Sequence, residues 1–183
     1  GPSVKDQVQA RGGKWVDVPY QTDEEREIAE GVGGYARPMP PAWMQRQGAI
    51  IAERCRQMDI VVTTALIPGR PAPKLVRADT VKAMKPGAII VDLAVGQGGN
   101  VEGSEADRIV LRNGVKIVGV TNLPALVPAD ASALYARNVL NFVALSLNLK
   151  SGEYGIARDD EIVQATLVCE NGAVVAGAQG SSK

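Results

Sequence analysis

From Ile60 to Leu66 the chain reads Ile-Val-Val-Thr-Thr-Ala-Leu, apolar without alternation, which is the pattern of a strand covered on both faces. Ala88 to Leu93 repeats it, and each run ends in a breaker, Pro68-Gly69-Arg70-Pro71 and Gly96-Gln97-Gly98-Gly99. Between Ala42 and Met58 the period changes. Trp43, Ile50, Ile51, Cys55 and Met58 recur at three and four, joined by the stem of Arg54, and define a helical face with Gln47 on the same stripe. A short helix is expected through Val4 and Val8, stopped by Gly12-Gly13. Lys14 to Val18 alternates and is expected to be a strand. The acidic stretch Asp23 to Glu30 then leads into Gly31 to Pro41, whose three glycines and three prolines leave little room for regular structure. A further helix is expected over Ala78 to Met84, ended by Lys85-Pro86-Gly87, and a long one from Asp130 to Leu149. Two Asn-Gly pairs, Asn113-Gly114 and Asn171-Gly172, signal hairpins: Arg108 to Arg112 with Val115 to Val120, and Ile162 to Glu170 with Ala173 to Ala176.

Strands alternating with helices make this an α/β chain, and parallel sheets of that class bind ligands outside the carboxyl ends of their strands. Three strand tails carry unusual residues: Thr63-Thr64-Ala65-Leu66, Gly96-Gln97-Gly98-Gly99-Asn100 and Thr121-Asn122-Leu123-Pro124. Parallel strands would bring them to one rim, where glycines let a flat ligand approach the backbone and hydroxyls and amides orient it without charge. Each tail taken singly is also what a strand-to-helix turn looks like, for steric reasons alone.

Composition narrows the function. Length, 183 residues, favours one domain with at most a fragment of another. Twenty basic against 20 acidic side chains leave no net charge, which argues against a nucleic-acid partner. With seven aromatic residues among 183, the core must come from Val, Ile, Leu and Ala. The chain has no His, and Cys55 and Cys169 stand alone, so Ser-His-Asp and Cys-His catalysis, a zinc site and a disulfide framework are not expected. A reduced cytosolic setting fits two unpaired cysteines. No apolar run approaches the roughly 20 residues that cross a bilayer. Gly1-Pro2 resembles the remnant of a removed tag, and Gly180 to Lys183 is a polar tail; neither bears on the fold.

Seven segments together carry a family resemblance: Gly33-Gly34-Tyr35-Ala36, Thr63 to Pro73, Met84-Lys85-Pro86-Gly87, Asp92-Leu93-Ala94, Gly98-Gly99-Asn100, Thr121-Asn122-Leu123-Pro124 and Ala129-Asp130-Ala131-Ser132. From Val4 to about Ala176 the chain resembles the NAD(H)-binding portion of the alpha subunit of proton-translocating NAD(P) transhydrogenase, in the alanine dehydrogenase/transhydrogenase family. The resemblance implies a Rossmann-like parallel sheet with flanking helices, here lacking the first two strands, plus a C-terminal β-hairpin. Residues 1–150 are then a partial NAD-binding domain, and 151–183 a hairpin and tail of the adjoining subdomain. It implies hydride transfer from NAD(H) on this component to NADP(H) on a partner component, coupled by a membrane component to proton movement. Such transfer needs no general acid or base, so no catalytic or metal-ligating residue is expected, and positioning and water exclusion remain as the protein's task. The implied cofactor contacts are Gly34, Tyr35, Gln47 and Leu66. The residues agree in part: Gly33-Gly34 gives hinge freedom and Tyr35 an amphipathic ring to cover a site, although such a Tyr also packs on its own loop. Gln47 on an apolar stripe needs a polar partner, a ligand or a neighbouring loop, and Leu66 away from a strand end would be ordinary core. Also implied are a homodimer, no membrane insertion of its own, and a cytoplasmic place at the inner membrane through partner subunits.

Two departures stand out. No G-x-G-x-x-G turn follows a first strand, and no acidic ribose ligand follows a second; both would precede Val4, so the chain reads as the C-terminal half of the component, and NADH is expected to bind it weakly. By the same resemblance Lys14 to Val18 is the third strand and Ile60 to Ala65 the fourth, whose free edge is expected to be paired or covered. Two other functions compete. In alanine dehydrogenases a catalytic Asp precedes Gln-Gly-Gly, where Gly96 stands here. The remaining alternative is a non-catalytic fragment of the NAD-binding component.

Overall fold

A computed structural model describes residues 2–30, 39–67, 69–147, 151–155 and 157–175. Gly34 and Tyr35 lie outside the described residues. Two compact units divide the chain, Gly1–Thr121 and Asn122–Lys183.

The first unit opens with α1 (Pro2–Ala10), closed by a paired turn in which the N–H groups of Gly12 and Gly13 donate to Gln9 and Val8 carbonyls. Gly12 takes the left-handed φ of 76° that such a helix end requires. Residues 14–18 are irregular, and no described residue pairs with them in a sheet, against the expectation of a strand. Alternation alone does not hold a strand; it needs a ladder partner for its backbone groups. The acidic stretch is a helix, α2 (Asp23–Glu30), which composition had obscured. Thr22 caps it, its hydroxyl accepting from the Glu25 N–H at 3.2 Å.

Next come α3 (Pro41–Gln57), β1 (Ile60–Thr63), α4 (Ala78–Ala83), β2 (Ile89–Asp92), β3 (Arg108–Arg112) and β4 (Val115–Gly119). The sheet order is β1-β2-β4-β3, with β1, β2 and β4 parallel and β3 antiparallel to β4. The β3–β4 turn uses Asn113 and Gly114 at φ of 50° and 80°, both positive as a two-residue hairpin demands. The core is Ile90, Ile117, Val76, Val81, Val101 and Val115, all at most 1% exposed, closed over by Cys55, Met84 and Ala88. Burial raises the Cys55 thiol pKa, so this cysteine behaves as a small apolar core residue. β1 pairs only with β2 among the described residues, and Ile60 and Val62 are 64% and 57% exposed. The expected cover of that edge is not found in this chain's described residues.

In the second unit α5 (Pro128–Ala144) replaces the expected longer helix, and α6 (Glu161–Thr166) stands where the first arm of a hairpin was expected. Asp160 caps α6, its Oδ1 accepting from the N–H groups of Ile162 and Val163, which commits that segment to a helix. Among the described residues the hairpin consists of β5 (Cys169–Glu170) and β6 (Ala173–Val174), turned by Asn171-Gly172. The mixed α/β architecture with a parallel sheet, flanking helices and a C-terminal antiparallel hairpin is thus the one read from the sequence.

Candidate functional site

Because β1, β2 and β4 are parallel, their carboxyl ends share one rim, as the three tails implied. Several of the polar residues there are bonded within the turns themselves, as the steric reading of each tail taken singly has it. Asp92, fully buried at the end of β2, accepts at Oδ1 from the Thr63 hydroxyl at 3.3 Å and from the N–H groups of Ala94 and Asn100 at 3.1 Å each. Its Oδ2 accepts from the Val101 N–H at 3.1 Å. Asn100, also fully buried, receives the Ala65 N–H on Oδ1 and donates through Nδ2 to the carbonyls of Ala65 and Pro73. Thr121 gives its hydroxyl and its N–H to Asp107, which holds that carboxyl below the usual carboxylate range. These hydroxyls and amides therefore tie the first two tails to each other and hold Thr121 to Asp107 ahead of β3.

Two glycines are required by this knot. A Cβ at Gly99, φ 76°, would sit 2.5 Å from Asp92 Oδ2, and one at Gly119 would sit 2.2 Å from the Glu105 carbonyl oxygen.

Facing outward on the rim are Thr64, Leu66, Leu93 and Gln97, with Leu66 49% exposed. Gly69, Arg70, Pro71, Gln97 and Gly98 line a shallow open depression of about 590 Å³. At Gly98 an added Cβ would meet nothing within 4 Å, so a flat group can lie against this backbone. Lys74 donates to the Gly98 carbonyl and fixes the loop from the side.

Gln47 lies on the N-terminal half of α3. Two residues connect α3 to β1, and Ile51 and Cys55 pack on the sheet core, so the helix runs back over the sheet and ends at the amino end of β1. Seventeen helical residues span about 25 Å, whereas four strand residues span about 13 Å, so the first turns of α3 project past the rim. The Gln47 side chain is half-buried and makes no hydrogen bond to any described residue. Gly34 and Tyr35 cannot be placed, being outside the described residues.

Sequence reasoning passed over Glu25 and Arg46. Glu25, 3% exposed, accepts at Oε2 from the Gln21 N–H at 2.7 Å and from Arg46 Nη2, while Arg46 Nη1 donates to Gln21 Oε1 at 2.8 Å. Arg46 above all, then the Gln21 N–H, lowers the Glu25 pKa. The signal that could have found this is Thr22-Asp23-Glu24-Glu25, the T-x-x-E signature of a helix start. Among the described residues no cluster of three or more Asp, Glu or Cys could hold a metal ion, and no helix is long and apolar enough to cross a membrane.

Residues 1–177 match the family model described as alanine dehydrogenase/PNT, C-terminal domain. An NAD(P) transhydrogenase alpha-subunit polypeptide of Rhodospirillum rubrum is 43% identical over 173 residues, 94% of this chain and 44% of the relative. Alanine dehydrogenase 1 of Staphylococcus aureus is 34% identical over 119 residues, 63% of this chain and 32% of the relative. The solved transhydrogenase from Sinorhizobium meliloti matches with a TM-score of 0.68 at 38% identity, covering 96% of this chain and 43% of that one. The chain spans less than half the length of these relatives.

Proposed function

Because the chain belongs to the alanine dehydrogenase/PNT family, of which it carries the C-terminal domain, we propose that it is part of the NAD(H)-binding component of a proton-translocating NAD(P) transhydrogenase. The observation that carries the choice within the family is coverage: likeness to the transhydrogenase subunit runs through 94% of the chain, and likeness to the alanine dehydrogenase through 63%. Gly96 supports it, since an amino-acid dehydrogenase needs a proton-transfer group, and this rim position offers only backbone.

The rim suits one end of a dinucleotide. Leu66 offers an apolar surface for a flat ring, Gly98 an unobstructed backbone, and Gln47 a free amide to orient a polar substituent. NAD(H), when bound, supplies the hydride; the chain's own residues hold the ring in place and keep water away from it. No described helix opens from a glycine-rich turn at a strand end, the usual seat of a pyrophosphate, so weak NADH binding is expected of these 183 residues. In this reading residues 1–150 serve nucleotide binding and 151–183 belong to an adjoining subdomain, with Gly34 and Tyr35 as further cofactor contacts. The partners are an NADP(H)-binding component, a membrane component and a second copy of the chain, and the place is cytoplasmic at the inner membrane.

Calorimetric titration with NADH, followed by NADH-dependent reduction of an NADP analogue once the partner component is added, tests the reading. Saturable NADH binding that weakens in Gln47→Ala and Leu66→Asp is expected. Absence of any NADH binding, or NADH oxidation driven by pyruvate and ammonium, would overturn it.

A further inference from the structure

The Glu25–Arg46 pair sits at a revealing place. Glu25 is in the first turn of α2, and Arg46 is in the second turn of α3, immediately before Gln47. With Gln21 the two close a ring of hydrogen bonds that is part-buried on the Glu25 side, Arg46 being 20% and Glu25 3% exposed, and open to solvent at Gln21. The other ion pairs of the first unit, such as Arg56–Glu53 near the end of the same helix, have both side chains at least 36% exposed, and pairs of that kind contribute little.

Pro41 at the first helical position presets one φ at this end of α3, but no side chain caps it. Its N-cap is Pro40, which offers no side-chain acceptor, so the helix start lacks the anchoring that Thr22 gives α2. The core contacts of α3 come later, at Ile51 and Cys55. Ahead of them, Arg46 is the side chain that ties the helix to another element through hydrogen bonds. Successive residues are turned about 100° around a helix. Holding the guanidinium by two planar contacts therefore sets the direction in which the next residue projects.

We propose that Arg46, gripped by Glu25 and Gln21, is a positioning residue that aims Gln47 at the nucleotide on the rim, an inference that rests on the NAD(H) reading above. Arg46 itself touches no cofactor. Its contribution is pre-organisation: the Gln47 side chain has no hydrogen bond to a described residue to hold it, so the orientation that a ligand meets comes from the backbone the clamp fixes.

The test compares wild type with Arg46→Met, Arg46→Lys and Glu25→Gln, with Arg56→Met as a control on the same helix. NADH affinity is measured by calorimetry, stability by thermal melting, and backbone protection of residues 44–47 by hydrogen exchange. Arg46→Met and Glu25→Gln are expected to weaken NADH binding roughly tenfold to hundredfold, the scale of a displaced positioning group. Exchange should quicken over 44–47 while β2 and β4 stay protected. Arg46→Lys, which keeps the charge but not the two-armed geometry, should fall between, and Arg56→Met should bind as wild type does. Wild-type NADH binding that persists unchanged in all the variants overturns this proposal and leaves the nucleotide reading standing. So does affinity that falls only in step with melting temperature, or unchanged exchange over 44–47. A wild-type chain that binds no NADH overturns the nucleotide reading, and the proposal with it.

Discussion

Asp92 and Glu25 are both buried carboxylates, yet the donors that hold them are of different kinds. Asp92 takes three backbone N–H groups and one hydroxyl, with no cation among its partners; Glu25 takes one backbone N–H and a guanidinium. The first arrangement ties the loop after β2 back onto its own strand and to β1, so the carboxylate is part of how the sheet ends. Glu25 joins two separate helices, α2 and α3. A carboxylate solvated by backbone amides is inseparable from the fold around it, whereas an ion pair between elements adjusts their relative placement. The two sites thus divide the labour: one builds the rim, and the other joins α3 to α2.

Removing each carboxylate in turn should tell the two sites apart most clearly. Asp92→Ala strands the N–H groups of Ala94, Asn100 and Val101 in the interior, and each such orphan costs about 1–3 kcal/mol. A loss of at least about 3 kcal/mol is expected in urea denaturation, a large share of the stability of a small domain. Gly99→Ala attacks the same knot from outside. The new methyl group meets Asp92 Oδ2 and the residue must keep a positive φ, so about 1–3 kcal/mol should be lost. If either variant melts like wild type, the knot is not the keystone of the rim.

Acid separates the two differently. The Glu25 pKa is lowered in the folded chain, so its contribution is complete above the ordinary carboxylate value and disappears as pH falls through the lower folded value. The melting-temperature difference between wild type and Glu25→Gln should be largest near neutrality and shrink towards zero in that acid window. A difference that grew on acidification would mean that the pair destabilises the fold. Asp107, lowered by Thr121, adds a loss of the same sign in both proteins and cancels in the difference.

Legibility from sequence follows the range of the interactions. The runs at Ile60 and Ala88 and the Asn113-Gly114 turn are local patterns, and all became sheet elements where expected. Convergence of three tails on one rim followed from strand direction. The inner purpose of Asp92 and Asn100 did not, because Asn100 reaches Ala65 across 35 positions and Pro73 across 27. No window of sequence shows that an Asn beside two glycines is spent on backbone rather than on a ligand. Lys14 to Val18 failed for the converse reason: its alternation was visible, but the partner that would make it a strand is not among the described residues. At the site, Gly34, Tyr35, Gln47 and Leu66 were legible only through the family resemblance, whereas the Glu25–Arg46 clamp joins positions 21 residues apart and was passed over.

Gly96 marks where the hold of Asp92 on the rim gives out. It sits in the short 3₁₀ turn Val95–Gln97, within the loop that Asp92 ties down, yet it is exposed, and an added Cβ would find only Thr121 Cγ2, at 3.8 Å. Its φ is not in the left-handed region, so a side chain meets neither a clash nor backbone strain there. Gly96→Asp should therefore change stability by no more than about 0.5 kcal/mol, in contrast to Gly99→Ala three residues on. The same substitution puts a carboxylate where the alanine dehydrogenase pattern has one, on the solvent side of the rim and apart from the buried Asp92. Unfolding titrations of Gly96→Asp and Gly99→Ala in parallel decide the matter: equal losses would mean that the whole loop is rigidly packed. A loss confined to Gly99 would show that the rim has a structural inner layer and an outer layer free to carry different chemistry.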